Sequence, residues 1–417
     1  MSGPARARTP LPADYWRLWS SSVASNLGDG MRLTAIPLLA AAIDPTPLTV
    51  SVVSAVSYLP WLLLALVAGA VADRVDRRRL MVRLQIVRAV AVAAFAVMLT
   101  AGHASMVPLV ALALVLGVAE VFFDCAAATA VPAVLPPHQL ERGNSRLLSA
   151  EMVANEFAGP PVGSVLFAWR QAVPFWLDAL TFAVSALLLG RLRTSLNPHD
   201  APAETGPKPG LLASIREGLA LTWASAFLRT WTLMLAVLNF ARAMTVAVFV
   251  LYVLQLLGGN ELTFGVLSAM VAVGAAAGGW HAKRVVDRIG RKASLALGLA
   301  LHAGSNLLLA TVVGVVPTAL AGIAFGVGVA VSNVVFVSIR QVTVPASHLG
   351  RVSSVQRFFA WGALPLGALA GGAFAASASL RAPYAIAAIL VLVAGALLWR
   401  PLMRPPEAAE RLLDAEP

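Results

Sequence analysis

The stretch GAVADRVDRRRL at residues 69–80 decides the fold, because a related stretch, VVDRIGRKASL, recurs at residues 285–295. Each stretch follows a long apolar run and places an Asp-Arg pair ahead of further basic residues. Apolar runs of about 20 residues span a bilayer, and Lys and Arg collect in the loops on its cytoplasmic side. The repeat therefore predicts two similar halves, each with a basic corner at the cytoplasmic surface of a membrane.

The composition agrees with a membrane protein. Of the 417 residues, 59% are hydrophobic and 12% are charged, and the mean hydropathy is +0.80. Soluble proteins carry about 25% charged residues, and a globule in water cannot hide this much apolar surface. We predict an all-α polytopic protein with twelve transmembrane helices in two six-helix bundles. The predicted spans lie near residues 15–42, 48–72, 81–101, 106–129, 145–169, 172–191, 227–256, 262–282, 293–314, 317–339, 353–377 and 382–400.

The distribution of basic residues predicts the orientation. Lys and Arg concentrate in every second gap between spans, which indicates a multi-pass protein of the plasma membrane with both termini in the cytoplasm. The net charge of +11 is therefore interpreted as topology and attraction to the lipid bilayer, and no nucleic-acid partner is expected. We divide the chain into an N-terminal bundle (1–193), a cytoplasmic linker with an amphipathic helix (194–224) and a C-terminal bundle (225–417).

The residue inventory argues against an enzyme or a metalloprotein. Cys125 is the only cysteine, and the six histidines are scattered. Neither a P-loop nor a nucleophile–base pattern is present, so we predict no cofactor, no metal site and no catalytic residues. A monomer is the default expectation.

The two basic stretches resemble the loop signature of the major facilitator superfamily, G-x-x-x-D-R-x-x-R-R, although Asp76 stands where that family usually has glycine. The resemblance implies two bundles that rock around a central cavity, with these stretches acting as a conformational latch; the alternative is a basic cluster that only sets the topology. The implied latch residues are Gly69, Asp73, Arg74, Arg77 and Arg78 in the first copy and Asp287, Arg288 and Arg291 in the second.

A second stretch, AGPPVGS at residues 158–164, resembles the antiporter motif of drug–proton exporters. Gly159, Pro160 and Gly163 carry the match and predict a bent, thin helix; packing alone is the alternative. Residues 16–39 and 340–372 resemble the branch that holds enterobactin exporters and macrolide efflux proteins. These resemblances imply a secondary transporter that exports small amphipathic molecules in exchange for protons. The alternative is a proton-coupled importer or uniporter of a small nutrient.

Ionisable residues within the predicted spans are candidate functional groups, because a charge in hydrocarbon is costly. Every acid in a predicted span lies in the N-terminal half. A carboxyl group removed from water resists ionisation and can exchange a proton near neutral pH. We rank Glu156 first for proton coupling, followed by Asp29 and Glu120. Asp178 is interpreted as structural.

Polar residues near these acids are candidates for the substrate cavity. Asn26 and Arg32 share a helix face with Asp29, although Arg32 could simply neutralise that acid. Asn155 shares a face with Glu151, and Asn239 lies three residues before Arg242 in span seven. Arg242 is interpreted as the partner of an acid on another helix.

Overall fold

A computed structural model of the chain describes residues 10–72, 74–128, 130–196, 211–343 and 346–402. These residues form helices and connecting turns, and no strand occurs among them. The helices of the first half are α1 Ala13–Ile43, α2 Pro47–Ala72, α3 Arg77–Thr100, α4 Met106–Ala127, α5 Ala130–Val134, α6 Leu140–Met152, α7 Gly159–Trp169 and α8 Val173–Gly190. A π-helical segment, Val153–Ala158, joins α6 to α7, and one 3-10 turn, Pro137–Gln139, precedes α6.

The second half begins with α9, a helix that packs against α13. Its helices are α9 Leu211–Ala224, α10 Ala226–Leu251, α11 Glu261–Thr311, α12 Val315–Thr343, α13 Ala346–Ser377 and α14 Ala382–Leu402. A second π segment, Tyr252–Leu256, extends α10. Helix α9 forms where the sequence predicts the amphipathic helix, and residues 197–210 of the predicted linker lie outside the described residues.

Nine of the described helices are individually long and apolar enough to cross a membrane. Helix α11 has 51 residues, about twice the length that one crossing needs, and it is broken at Gly290, so it supplies two spans. Helix α1 has lower hydropathy because it carries charged residues, and the α6–α7 span is divided by its π segment. These helices supply the remaining crossings, and the predicted all-α fold of twelve spans in two bundles is confirmed.

The two repeated basic stretches turn the chain in different ways. Gly290 adopts φ 78° and ψ 165°, a conformation that favours glycine, and it ends the first span of α11. Asp76, in the corresponding first-half turn, has φ −61° and caps α3 by accepting a hydrogen bond from the backbone N–H of Arg79 at 3.2 Å. An N-cap therefore replaces the glycine turn in the first copy.

The two halves pack differently at the two ends of the molecule. We call the end that carries the two basic stretches the basic face and the other end the opposite face. One core cluster at the opposite face joins both halves, with Leu38 and Leu39 of α1 beside Val250 and Leu251 of α10. Nearer the basic face, two core clusters belong to one half each, around Tyr15 in the first and around residues such as Trp231 in the second. A third cluster joins the halves through α2 and α13, where the ring centroids of Trp61 and Trp361 lie 4.0 Å apart.

Candidate functional site

Helix α1 passes between two neighbouring helices at the sequence GDG, residues 28–30. A Cβ atom added at Gly28 would collide with the side chain of Asp178 in α8. A Cβ atom added at Gly30 would lie 2.9 Å from the Cα atom of Gly159, the first residue of α7. The two glycines thus let two helices approach α1 on either side of Asp29, in the way that small residues pack membrane helices.

The predicted helix-bend residues lie at this crossing. Gly163 contacts the backbone of α1 at Met31, and the hydroxyl of Thr34 donates a hydrogen bond to the carbonyl oxygen of Pro160 at 3.2 Å. The irregular geometry itself precedes these residues, in the π segment Val153–Ala158. Pro160 directly follows that segment in a continuous helical run, where its missing N–H removes one backbone hydrogen bond.

Arg32 joins α1 to α8 through two carboxylates. Its guanidinium forms an ion pair with Asp29 one turn earlier and another with Asp178, with 3.4 Å between Nε and Oδ2. The Asp178 side chain is 1% exposed, whereas those of Arg32 and Asp29 are 13% and 20% exposed. Asp178, which the sequence analysis interprets as structural, therefore belongs to the same polar site as Asp29.

A second buried cation, Arg88 of α3, lies on the other side of this site. Arg88 is 2% exposed, and its guanidinium carbon lies 5.1 Å from the ring centroid of Phe123 and 5.3 Å from that of Phe182. Arg88 interacts electrostatically with Glu120, Asp124 and Asp178. The sequence contains a signal for this residue, because an arginine within the apolar span 81–101 is itself an embedded charge.

These residues form one acid cluster, defined here as Asp29, Glu120, Asp124 and Asp178 with the two counter-ions Arg32 and Arg88. Four carboxyl groups and two guanidinium groups leave two excess negative charges when all are ionised. Asp178 is buried, Glu120 is half-buried and Asp124 is exposed, so the excess charge is least favourable at the buried end of the cluster. The cluster therefore has the capacity to take up protons or a cationic group.

The candidate cavity residues of the first half lie beside the cluster. The hydroxyl of Ser22 donates to Oε1 of Glu151 at 2.5 Å, and Nδ2 of Asn26 donates to the carbonyl oxygen of Ser22 at 2.9 Å. Asn155 is half-buried, and its Oδ1 atom has no hydrogen-bond partner among the described residues. Polar groups of α1 and of the α6–π segment thus line one side of the crossing.

Glu156, the first-ranked coupling residue, does not join the acid cluster in this conformation. It lies within the π segment and is exposed. The described residues provide it with no hydrogen bond or ion pair. A π segment places successive side chains differently from an α-helix, so the face of Glu156 could not be read from helical spacing.

The candidate residues of the second half are more isolated. Asn239 donates a hydrogen bond to the carbonyl oxygen of Leu235 at 2.9 Å, within its own helix. Arg242 is exposed, and no described carboxylate lies within ion-pair distance of it. His302 is 4% exposed, and its ring lies 4.3 Å from that of Phe325, centroid to centroid. The chemistry of the described site is therefore concentrated in the first half.

Three of the described latch residues, Arg77, Arg78 and Asp287, contact residues of their own half. Arg77 Nε donates to the carbonyl oxygen of Ala72 at 3.1 Å, and Arg78 donates to the carbonyl oxygen of Gly190 at the end of α8. In the second copy, Lys283 pairs with Asp287 at 3.1 Å. Gly69 has open space where a Cβ atom would lie, Arg74 and Arg288 are exposed, and Arg291 is half-buried. Asp73 lies outside the described residues.

An apolar groove of about 790 Å³ runs along α1 and the α6–π segment, on the basic-face side of the crossing. Trp16, Trp19, Val23 and Leu27 of α1 form one wall. The guanidinium carbon of Arg146 lies 5.8 Å from the Trp16 ring centroid at its rim. The groove combines apolar walls with a cationic rim, a lining that suits an amphipathic molecule.

Comparison with known proteins identifies relatives along nearly the whole chain. The model of a family described as transmembrane secretion effector matches residues 6–415. The multidrug efflux pump Tap of Mycolicibacterium fortuitum is 27% identical over 405 residues, which cover 94% of this chain and 96% of that protein. The Tap pump of Mycobacterium tuberculosis is 28% identical over 396 residues, which cover 92% of each chain.

Solved structures share the fold at lower sequence identity. A point mutant of the nucleoside transporter NupG superposes with a TM-score of 0.77 at 12% identity, covering 93% of this chain and 99% of that one. A bacterial homologue of the iron transporter ferroportin, in an inward-facing state, gives a TM-score of 0.75 at 16% identity, with 95% and 100% coverage. At these identities the likeness shows the fold alone.

Proposed function

We propose that this chain, which belongs to the transmembrane secretion effector family of the major facilitator superfamily, exports small amphipathic molecules of the drug, antibiotic or siderophore class in exchange for protons. The protein acts as a monomer in the plasma membrane, with both termini and the basic face in the cytoplasm. The name of the Tap relatives, multidrug efflux pump, supports the direction and the class of cargo.

The observation that carries the proposal is the acid cluster. Its two excess negative charges sit between helices α1, α3, α4 and α8, where an uncompensated charge is costly. A proton or a positively charged cargo relieves the same excess, so the two compete for the cluster. Competition of this kind couples the two flows, because binding of one ion favours release of the other.

The conformation supports a path for cargo from the cytoplasm. Two core clusters nearer the basic face stay within one half each, and the apolar groove along α1 lies on the same side of the crossing. Cargo enters here and displaces protons into the cytoplasm. After the halves rock, protons from outside load the carboxyl groups and release the cargo. Such rocking about a site near the middle of the membrane is the usual mechanism of this architecture.

The test uses everted membrane vesicles from cells that express the protein. Respiration acidifies the vesicle interior, and a pH-sensitive dye reports proton exit when antibiotics, cationic dyes or siderophores are added one at a time. At least one compound should drive proton exit and accumulate inside the vesicles. Glu120→Gln should abolish this response, whereas Glu141→Gln, which changes an exposed acid of α6, should retain it.

Two results would contradict the proposal. The first is a full proton-exit response in each of the three variants Glu120→Gln, Asp29→Asn and Glu156→Gln. That result would show that none of these acids couples proton flow to transport. The second is a higher accumulation of the compounds in intact expressing cells than in controls, which would support the importer.

A further inference from the structure

We propose that Arg88 is a positioning residue for proton exchange: a fixed positive charge that sets how many carboxyl groups of the acid cluster hold a proton. The inference rests on the proposed antiport and gives a role to the counter-ion that α3 contributes to the acid cluster. Arg88 acts through Glu120 and Asp124 and does not itself contact the cargo or the exchanged proton.

The surroundings of Arg88 hold its guanidinium in one place. Rings from two different helices, Phe123 of α4 and Phe182 of α8, lie 5.1 and 5.3 Å from the guanidinium carbon. The side chain is 2% exposed, and one terminal nitrogen has no hydrogen-bond partner among the described residues. Aromatic faces attract a guanidinium but leave its donors unused, so a donor remains available to a carboxylate.

The charges around Arg88 come from three neighbouring helices. Glu120 and Asp124 lie on α4, Asp178 lies on α8, and Asp29 with Arg32 lies on α1. Arg32 is already committed to Asp29 and Asp178 by direct ion pairs.

The division of labour between the two cations follows from these contacts. Phe123, whose ring contacts the Arg88 guanidinium, lies three residues after Glu120 and directly before Asp124, so Arg88 faces the part of α4 that carries both carboxyl groups.

The fixed positive charge of Arg88 limits how many carboxyl groups of α4 can be ionised together. A guanidinium keeps its proton at every physiological pH, so Arg88 can compensate only one of the two carboxylates of α4. The other one is left to take up the exchanged proton. Without Arg88, both would hold protons to higher pH, and the release of protons to a neutral cytoplasm would fail.

The experiment measures protonation directly, without transport. A hydrophobic carbodiimide reacts with protonated carboxyl groups, and mass spectrometry of the purified full-length protein quantifies labelling of Glu120 and Asp124 from pH 5 to pH 10. In Arg88→Gln the pH of half-labelling should rise by about one to three units, the usual effect of removing a close opposite charge. Arg88→Lys should stay near the wild-type midpoint.

The matched control is Arg83→Gln, which removes an exposed arginine from the same helix and should leave the midpoint unchanged. A midpoint in Arg88→Gln equal to wild type overturns the proposal. If Arg88→Gln does not reach the membrane, the double variant Arg88→Gln with Glu120→Gln removes one charge of each sign. Recovery of this variant supports the electrostatic role, and its failure to fold assigns Arg88 to packing and overturns the proposal.

The vesicle assay separates this inference from the function on which it rests. Wild-type protein that shows no cargo-driven proton exit refutes the antiport, while the labelling profile still decides the role of Arg88. If wild type exchanges protons, Arg88→Gln should move the pH of half-maximal exchange upward by the same amount as the labelling midpoint.

Discussion

The contact between Gly30 and Gly159 makes a quantitative prediction for Gly159→Ala. The added Cβ atom would lie 2.6 Å from the carbonyl carbon of Gly30 and 2.9 Å from the carbonyl oxygen of Ala154, whereas ordinary contact begins at 3.4 Å. The obstructing atoms are backbone, so α1 and α7 must separate by roughly 0.5–1 Å. Overpacking of this kind costs about 1–3 kcal/mol.

The assay follows thermal unfolding of purified protein with a thiol-reactive fluorophore, because Cys125 is the only cysteine and is partly buried. A loss of about 1–3 kcal/mol corresponds to a fall of roughly 2–12 °C in Tm for a cooperative unit the size of one bundle. The separation would also shift Arg32 of α1 relative to Asp178 of α8, its ion-pair partner, so cargo-driven proton exit should fall with the Tm.

The control is Gly304→Ala in α11, where nothing lies within 4 Å of the added Cβ atom. Replacing a helical glycine with open space around it should leave stability unchanged or raise it by about 0.5–1 kcal/mol. A Tm of Gly159→Ala at or above that of wild type would refute the close crossing of α1 and α7.

Three further predictions test single groups. Arg32→Met should lower stability by about 3–5 kcal/mol in the same unfolding assay, because it strands the buried carboxylate of Asp178; adding Asp178→Asn should recover part of the loss, and no recovery would argue against the ion pair. Glu156 is exposed and lies outside the acid cluster, so Glu156→Gln should lower proton-linked efflux less than Glu120→Gln does; a loss as complete as that of Glu120→Gln would make Glu156 a coupling residue. Asp44 accepts hydrogen bonds from the Thr49 hydroxyl and the Thr46 backbone, which lower its pKa. The ionised Asp44 carboxylate therefore stabilises the folded protein above its unfolded-state pKa of about 3.9, and this stabilisation is lost as the pH falls through its lower folded-state pKa. The Tm deficit of Asp44→Ala at pH 7 should therefore vanish in strong acid.

The first-half site could be predicted only in part. Asp29, Arg32 and Glu120 were identifiable because charges inside an apolar span are conspicuous in any sequence. That Asp178 and Arg88 belong to the same site could not be predicted, because their partners lie on other helices. Which faces of two helices meet depends on how each helix rotates about its axis, and that is set by packing, not by either sequence alone.

The sequence by itself determined the number of spans, the division into two halves and the basic corners, because hydropathy, length and local charge act on each segment independently. Tertiary structure alone decided that Gly28 and Gly30 let α8 and α7 approach α1 beside Asp29 and that Arg88 is held between two rings. It also decided that the two halves share a core cluster at the opposite face. These are contacts between segments far apart in the chain. Their geometry follows from the close packing of whole helices, in which a shift of one methyl group changes which side chains can touch.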